Sequence, residues 1–297
     1  MDRTFEEYKK IVDDHLFDFI PNVDTKSLTL YEAMKYSLAA GGKRLRPILT
    51  LAACDFMNGD IYEALPYACA IEYIHTYSLI HDDLPCMDDD DLRRGVPTNH
   101  KVYGEAIALL AGDGLLTSAF EAIHKDQMLY FDDPKRLIAR VKAGYTISNG
   151  AGVKGMVAGQ ICDIEGETKK YSNTMLEYLH LNKTGALIKS SIRAGLYIGN
   201  ADSDTISRFD KYSEALGLAF QIQDDILDVT GSVEELGKDV NADERSNKNS
   251  FVSVNGLDKA KKRLNELTED AISALSVYYD NAEFFTKLAL DLKNRNK

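Results

Sequence analysis

A chain of 297 residues holds one large domain or two ordinary ones, and its 44% hydrophobic content is ample for a core. The formal net charge of −12 argues against a nucleic-acid binder, which usually carries a basic face. It does not exclude an anionic substrate, because clustered Arg and Lys act locally whatever the total charge.

Apolar residues fall at helical spacing along nearly the whole chain. Leu28, Leu30, Ala33, Met34, Tyr36 and Leu38 approximate a 3.6-residue stripe, which Gly41-Gly42 then stops. A second stretch runs from Ile48 to Met57 and ends at Asn58-Gly59, and a third runs from Ile61 to about Leu84. Others cover roughly 102–124, 134–158, 174–199, 203–229, 257–279 and 281–294. Only six prolines interrupt this pattern, and no alternating strand pattern stands between turn signals. There is no repeat, low-complexity linker or shift in composition. The expected architecture is therefore one all-α domain spanning 1–297, a large helical bundle whose facing helices project side chains into a shared interior cavity.

The least regular stretch, Gly231 to Asn249, is rich in Asp, Glu, Asn and Lys. It reads equally as a solvated loop or as a binding lid. No apolar run is read as long enough to span a bilayer, and no charged-then-apolar signal segment opens the chain, so a soluble, unexported, cytoplasmic protein is expected. Cys54, Cys69, Cys86 and Cys162 form no C-x-x-C pair and sit in apolar-patterned stretches. They read as buried thiols in a reducing compartment rather than disulfides or zinc ligands.

Two acid clusters stand out. Asp224 and Asp228 are four apart, so on a helix they lie one turn apart on the same face. Two stacked carboxylates without a basic partner repel each other, and a cation between them relieves that. They follow the uncharged run Leu216–Gln223, at the edge of a core-facing stretch. The other cluster, Asp82-Asp83-Leu84-Pro85-Cys86-Met87-Asp88-Asp89, follows the apolar run Ile71–Ile80 in the same way. Asp82 and Asp88 are six apart, which is not one helical face, and Pro85 removes a backbone donor and clashes with the turn before it. A break or bulge at Leu84–Met87 is expected. Carboxylate-only sites suit Mg²⁺, which keeps several waters and shares substrate phosphate oxygens. A calcium-binding EF-hand needs a different order of acids with a central Gly and a closing Glu, and Asp88–Asp91 with Arg93-Arg94 lacks it.

Cations are grouped beside these acids. Gly41-Gly42-Lys43-Arg44-Leu45-Arg46-Pro47 places three after a flexible Gly pair, and Arg93-Arg94-Gly95 directly follows the first acid cluster. Lys183-Thr184-Gly185, Lys238 and Lys248 come later. Arg grips phosphate with a planar fork and Lys acts as a movable point charge. Arg44 or Arg46 alone reads best as a solvated surface residue. Taken together, the cations suggest two diphosphates, one bound through metal and one by direct cation contacts.

The blocks at 41–47, 81–95, 183–185 and 220–228 resemble, in order and spacing, the signature blocks of trans-prenyl diphosphate synthases, and most closely those of bacterial-type farnesyl diphosphate synthases. The resemblance runs from about Leu28 to the C-terminal helix. It implies an all-α bundle around a deep central cavity, usually a homodimer, and head-to-tail condensation of isopentenyl diphosphate with an allylic diphosphate. By position it implies Mg²⁺ on Asp82, Asp88 and Asp224, the first two from one wall and the third from the other, with Asp83 and Asp228 as second choices. It implies that Arg93, Lys183, Thr184, Gln221, Lys238 and Lys248 hold the allylic diphosphate, and that Lys43, Arg46, His75 and Arg94 hold isopentenyl diphosphate. An isolated helical His is more often a satisfied core residue, so His75 rests on the resemblance. Phe220 either faces the cation or belongs to the core. The chain departs from the family pattern at Lys248-Asn249-Ser250-Phe251, where Lys-Thr/Ser-Thr-Tyr is usual.

Tyr77 lies five residues before Asp82 and Ser78 four before. Five residues rise about 7.5 Å along a helix, so a bulky ring there would floor a cavity that a growing chain descends. Tyr77 favours a fifteen-carbon product, whereas a plain core role would make it silent on length. The alternatives are a geranylgeranyl or longer-chain synthase, a terpene cyclase, and a non-catalytic partner subunit. A cyclase needs no second diphosphate site, against which Lys43, Arg46 and Arg94 argue, and intact acid clusters argue against a silent subunit.

Overall fold

Helices begin where the sequence supplies caps. The Thr4 hydroxyl accepts the Glu7 amide while the Glu7 carboxylate accepts the Thr4 amide, and this reciprocal pair opens α1 (Phe5–His15). The apolar stripe reading passed over α1 because only Tyr8 and Val12 of its residues are buried. In the computed structural model, which describes residues 3–21, 24–230 and 249–295, there follow α2 (Leu28–Ala39), α3 (Leu45–Phe56), α4 (Ile61–Asp82), α5 (Asn99–Tyr103), α6 (Glu105–Met128), α7 (Pro134–Ala151), α8 (Met156–Gly166), α9 (Asn173–His180), α10 (Ala186–Ile198), α11 (Ser203–Thr230), α12 (Phe251–Asn255), α13 (Leu257–Ala274) and α14 (Glu283–Asn294). The protein is all-α, as expected. Among the described residues the strands are two short ones, β1 (Leu92–Arg93) and β2 (Val96–Pro97), paired antiparallel with Arg93 opposite Val96. Two residues per strand are too few to show alternation.

The predicted stretches differ from the helices at identifiable residues. The stretch 134–158 breaks after Ala151 because the chain folds back on itself: a side chain at Gly155 would collide with the Gly150 carbonyl. The stretch 174–199 is interrupted by a π-helical turn at Leu181–Gly185, a local widening that recurs at functional sites. The stretch 257–279 ends at Ala274, before a 3₁₀ segment in which Tyr279 has φ 47°.

The contacts divide the chain into two compact units. One comprises Asp2–Gly144 with Ala194–Asn200, and the other Tyr145–Arg193 with Ala201–Lys297. In the first unit α4 is apolar all round and almost wholly buried, from Ile61 through Tyr67, Ile71 and Ile74 to Ile80. Such a helix has no solvent face and belongs in a core. Ala108, Ala111 and Ala119 of α6, with Leu115, are buried in the same unit, where α6 packs on α4. In contrast to the sequence expectation, α6 is long and apolar enough, by length and composition alone, to cross a bilayer. In the second unit α11 packs on α13, and a side chain at Gly217 would lie 2.9 Å from the Gly185 Cα, so α11 approaches the π turn backbone to backbone.

Two expectations need correction. Cys54 and Cys69 are buried, and burial pushes the Cys54 thiol up to about 12, but Cys162 is only half-buried on α8 and Cys86 is exposed, because it sits in the turn after α4 rather than in the helix. Arg44 is not a solvated surface residue. Its backbone is left-handed, with φ 52°, and its side chain is buried. The guanidinium donates to Glu72 at 2.7 Å, Asp13 at 2.9 Å and the Leu38 carbonyl at 2.7 Å, pinning the loop before α3 to α1, α2 and α4. Glu72 is itself buried, so neither charge has water as an alternative partner. Removing one member of such a pair leaves the other uncompensated and costs about 3–5 kcal/mol. Glu72→Gln, which keeps the shape but removes the charge, should lower unfolding stability by about 3 kcal/mol, measured by urea denaturation. A change below about 0.5 kcal/mol, the size of an ordinary surface substitution, would show that Asp13 alone satisfies Arg44.

Candidate active site

The expected break in the first acid cluster is present. Helix α4 ends at Asp82, and the chain then turns through Leu84–Met87 so that the Asp88 amide donates to the Asp82 carbonyl at 2.9 Å. Asp89 completes the turn in a left-handed conformation, φ 51°. Two acids six apart are thereby joined across a closed turn, with Asp82 half-buried and Asp88 exposed. Asp83 is buried on the other side of the turn. It accepts from Arg93 through Nε at 2.9 Å and through a second guanidinium nitrogen, and Arg93 also reaches Asp90 at 2.7 Å. Burial raises the Asp83 pKa, and Arg93 opposes the rise.

The same unit brings together the cations assigned to the second diphosphate. Arg94 extends from the tip of the β1–β2 hairpin, where it has φ 54°, and donates to the Gly41 carbonyl. Gly42 has φ 128°, and a side chain there would meet the Arg94 guanidinium carbon at 2.6 Å. This glycine pair is needed for conformation and for space together. Lys43 is exposed on the same loop, and Arg46 is half-buried in the first turn of α3. Burial, and then the positive field of Arg46, Arg94, Arg93 and Arg44, hold His75 well below the usual imidazole range. His75 therefore stands among four guanidinium groups as a neutral ring.

Tyr77 is buried one turn above Asp82, and burial raises its pKa. Its ring meets the edge of His81 at 5.6 Å. His81 in turn bonds the Leu109 carbonyl at 3.0 Å, and Gly112 leaves room for the imidazole, since a side chain there would overlap it. Ser78 is half-buried and donates to the His75 carbonyl at 2.8 Å.

In the second unit Asp224 and Asp228 lie one turn apart on α11, Asp224 half-buried and Asp228 buried. Asp225 faces inward and accepts the Phe251 amide at 2.6 Å. Lys183 and Thr184 sit on the π turn. Lys183 donates to Asp163 at 2.6 Å, Thr184 donates to Gln221 at 2.9 Å, and Gly159 of α8 allows the Lys183 backbone to pass close by. Burial pulls neighbouring His180 down to about 4. Asn249, where the sequence departs from the family pattern, ties the chain to α8: its amide donates to the Gly166 carbonyl at 2.6 Å and its oxygen accepts the Tyr171 amide at 3.0 Å. Lys238 and Lys248, and all but the last residue of the 231–249 stretch, lie outside the described residues.

Several residues at these sites gave no signal in the sequence. Asp163 is twenty positions from Lys183. Arg295 binds Asp224 at 2.6 Å from seventy-one positions away, and its guanidinium lies 4.3 Å over the Phe220 ring. Phe220 thus carries an arginine on its face. No periodicity or local motif links such distant partners.

The donor chemistry fits a hard divalent cation. Asp82, Asp88, Asp224 and Asp228 offer carboxylate oxygens only, the ligand type Mg²⁺ prefers. Among the described residues no three acidic, His or Cys groups are close enough to cage an ion.

Residues 27–278 match the family model for polyprenyl synthetase. A farnesyl diphosphate synthase of Geobacillus stearothermophilus is 47% identical over 266 residues, 89% of this chain and 87% of that protein. A geranylgeranyl diphosphate synthase of Cyanophora paradoxa is 43% identical over 278 residues, 93% of this chain and 89% of that protein. The crystal structure of an FPP/GFPP synthase from Zymomonas mobilis superposes with a TM-score of 0.84 at 36% identity, covering 96% of this chain and 95% of that one. Members of this family generally depend on a divalent metal. The chain belongs to the polyprenyl synthetase family and is a prenyltransferase.

Proposed function

We propose that the chain condenses isopentenyl diphosphate with dimethylallyl or geranyl diphosphate to give farnesyl diphosphate, working as one synthase domain over 1–297. The observation that carries this reading is the cation loop. Arg94 seated on Gly41-Gly42, with Lys43 and Arg46 following in the same segment, groups three cations that suit a second diphosphate. An enzyme that ionises a single substrate has no use for it.

Asp82 and Asp88 in the first unit, and Asp224 in the second, would each offer a carboxylate to Mg²⁺, with Asp83 and Asp228 in supporting places. Bound there, Mg²⁺ supplies the positive charge that lets diphosphate leave the allylic carbon. Lys183, Thr184, Gln221 and Arg93, with Lys238 and Lys248, orient the allylic diphosphate. Asp163 holds Lys183 as a localised charge, and the Thr184–Gln221 bond fixes a hydroxyl beside it. Lys43, Arg46 and Arg94 clamp isopentenyl diphosphate, and neutral His75 donates one hydrogen bond to it. The double bond of isopentenyl diphosphate attacks the allylic cation, and loss of a proton completes the step. Asp82→Ala combined with Asp224→Ala should lower turnover at saturating Mg²⁺ by roughly a thousandfold or more. Turnover near the wild-type rate would overturn the metal assignment.

Tyr77 supports the fifteen-carbon product. Its buried ring, braced by His81, stands about 7.5 Å along α4 from Asp82. Tyr77→Ala should shift the product of radiolabelled isopentenyl diphosphate from fifteen to twenty carbons or more on chromatography. Unchanged length would remove Tyr77 as the floor and reopen the geranylgeranyl reading.

The working form is a homodimer in the cytoplasm. The outward side of α6 exposes Leu109 and Leu110, the latter 56% accessible, on a helix otherwise apolar enough for a core. A second copy of the chain covers that side. Sedimentation should give twice the 33.1 kDa chain mass, and Leu110→Glu should return the single-chain mass.

A further inference from the structure

The Asp224–Asp228 pair needs a nearby positive charge, and the fold supplies one. Helix α14 ends at Asn294, and Arg295 leaves it in an extended conformation, φ −65° and ψ 148°. Its carbonyl accepts the Gln223 side-chain amide at 2.9 Å. Its guanidinium lies over the Phe220 ring at 4.3 Å and donates to the Phe220 carbonyl at 3.1 Å and to Asp224 Oδ1 at 2.6 Å. Four contacts thus bind Arg295 to a single turn of α11. The Arg295 side chain is 11% accessible and Asp224 38%, so the pair is shielded on the arginine side and open to solvent on the carboxylate side. The Arg295 Nε is buried without a hydrogen-bond partner, so the docked pose leaves one donor unused.

We propose that Arg295 is a resident cation of the metal site: a positioning residue that neutralises and orients Asp224 until a divalent ion takes that carboxylate and displaces the arginine. The inference rests on Asp224 being a metal ligand. A guanidinium 2.6 Å from Oδ1 and a divalent ion on the same carboxylate would stand within a few ångström of each other, and their repulsion disfavours holding both at once. Metal entry therefore breaks the Arg295 bond, leaving the Phe220 stack and the backbone contacts to hold the chain end. Linkage makes the effect reciprocal: docking of Arg295 weakens metal binding by the same factor by which metal weakens docking.

The full-length chain tests this with Mn²⁺ as a spin-active probe, counted by electron paramagnetic resonance, and with hydrogen exchange read by mass spectrometry over residues 288–295. Removing a competitor that occupies most of the population tightens apparent affinity by the inverse of the free fraction, so Arg295→Ala should bind Mn²⁺ about fivefold more tightly. Arg295→Lys, which keeps the charge, should fall back toward wild type. In the wild-type chain, saturating Mn²⁺ should speed exchange at 288–295. An arginine that merely anchors the helix end would show the opposite, with Arg295→Ala binding metal equally or more weakly and exchange at the wild-type terminus indifferent to Mn²⁺. Either result overturns the inference, and the wild-type exchange arm needs no variant to fold. Asp224→Ala separates this from the metal reading. If it loses Mn²⁺ while Arg295→Ala shows no gain, only the resident-cation role fails. If Asp224→Ala binds Mn²⁺ like wild type, the metal assignment of Asp224 fails and the inference with it.

Discussion

Carboxylates crowded at the ends of apolar helices must be given positive charge, and much of the local structure meets that demand. Asp83 receives Arg93, Asp163 receives Lys183, Glu72 receives Arg44 and Asp224 receives Arg295. Each pairing removes one acid or one base from the free inventory and fixes a segment of backbone as it does so. Asp88 stays exposed to solvent beside the half-buried Asp82. A chain with net charge −12 can bind polyanions under this arrangement because it matches charge locally.

The burial of Arg44 clarifies how the cation loop works. Of the three cations between Lys43 and Arg46, the middle one turns inward and holds the loop to Glu72 and Asp13, while its neighbours stay near solvent. One arginine supplies rigidity to the segment that carries the two cations proposed to bind diphosphate. This division has an energetic reason. A flexible Lys or Arg loses side-chain entropy on gripping a ligand, and a loop already fixed by an internal ion pair adds little to that loss.

Much of this was legible in the sequence because it depends on local spacing. The i,i+4 placement of Asp224 and Asp228, the six-residue gap from Asp82 to Asp88 with Pro85 inside it, and the apolar periodicity of α3, α4 and α11 all report on neighbours within one or two turns. What stayed hidden depends on distant partners or on backbone contact. No pattern announces that Arg295 meets Asp224, that Asn249 ties down α8, or that Gly155 must pass against Gly150. The inward turn of Arg44 was misread for the same reason, since its counter-charge lies twenty-eight residues away on another helix. Helix α1 escaped because two buried residues make too faint a stripe, although its capping box is written plainly as Thr4-x-x-Glu7.

The closed turn after α4 acts as a ruler. The hydrogen bond from the Asp88 amide to the Asp82 carbonyl sets the length of the intervening segment. Removing Pro85 and Cys86 together would leave the two acids four apart, a spacing that a continuing helix satisfies without any turn. Removing one residue alone would leave them five apart, too few for this turn and out of phase with a helical face. Losing two residues from this segment should therefore be tolerated better than losing one, so the local fold sets the allowed lengths of the acid cluster before any chemistry does.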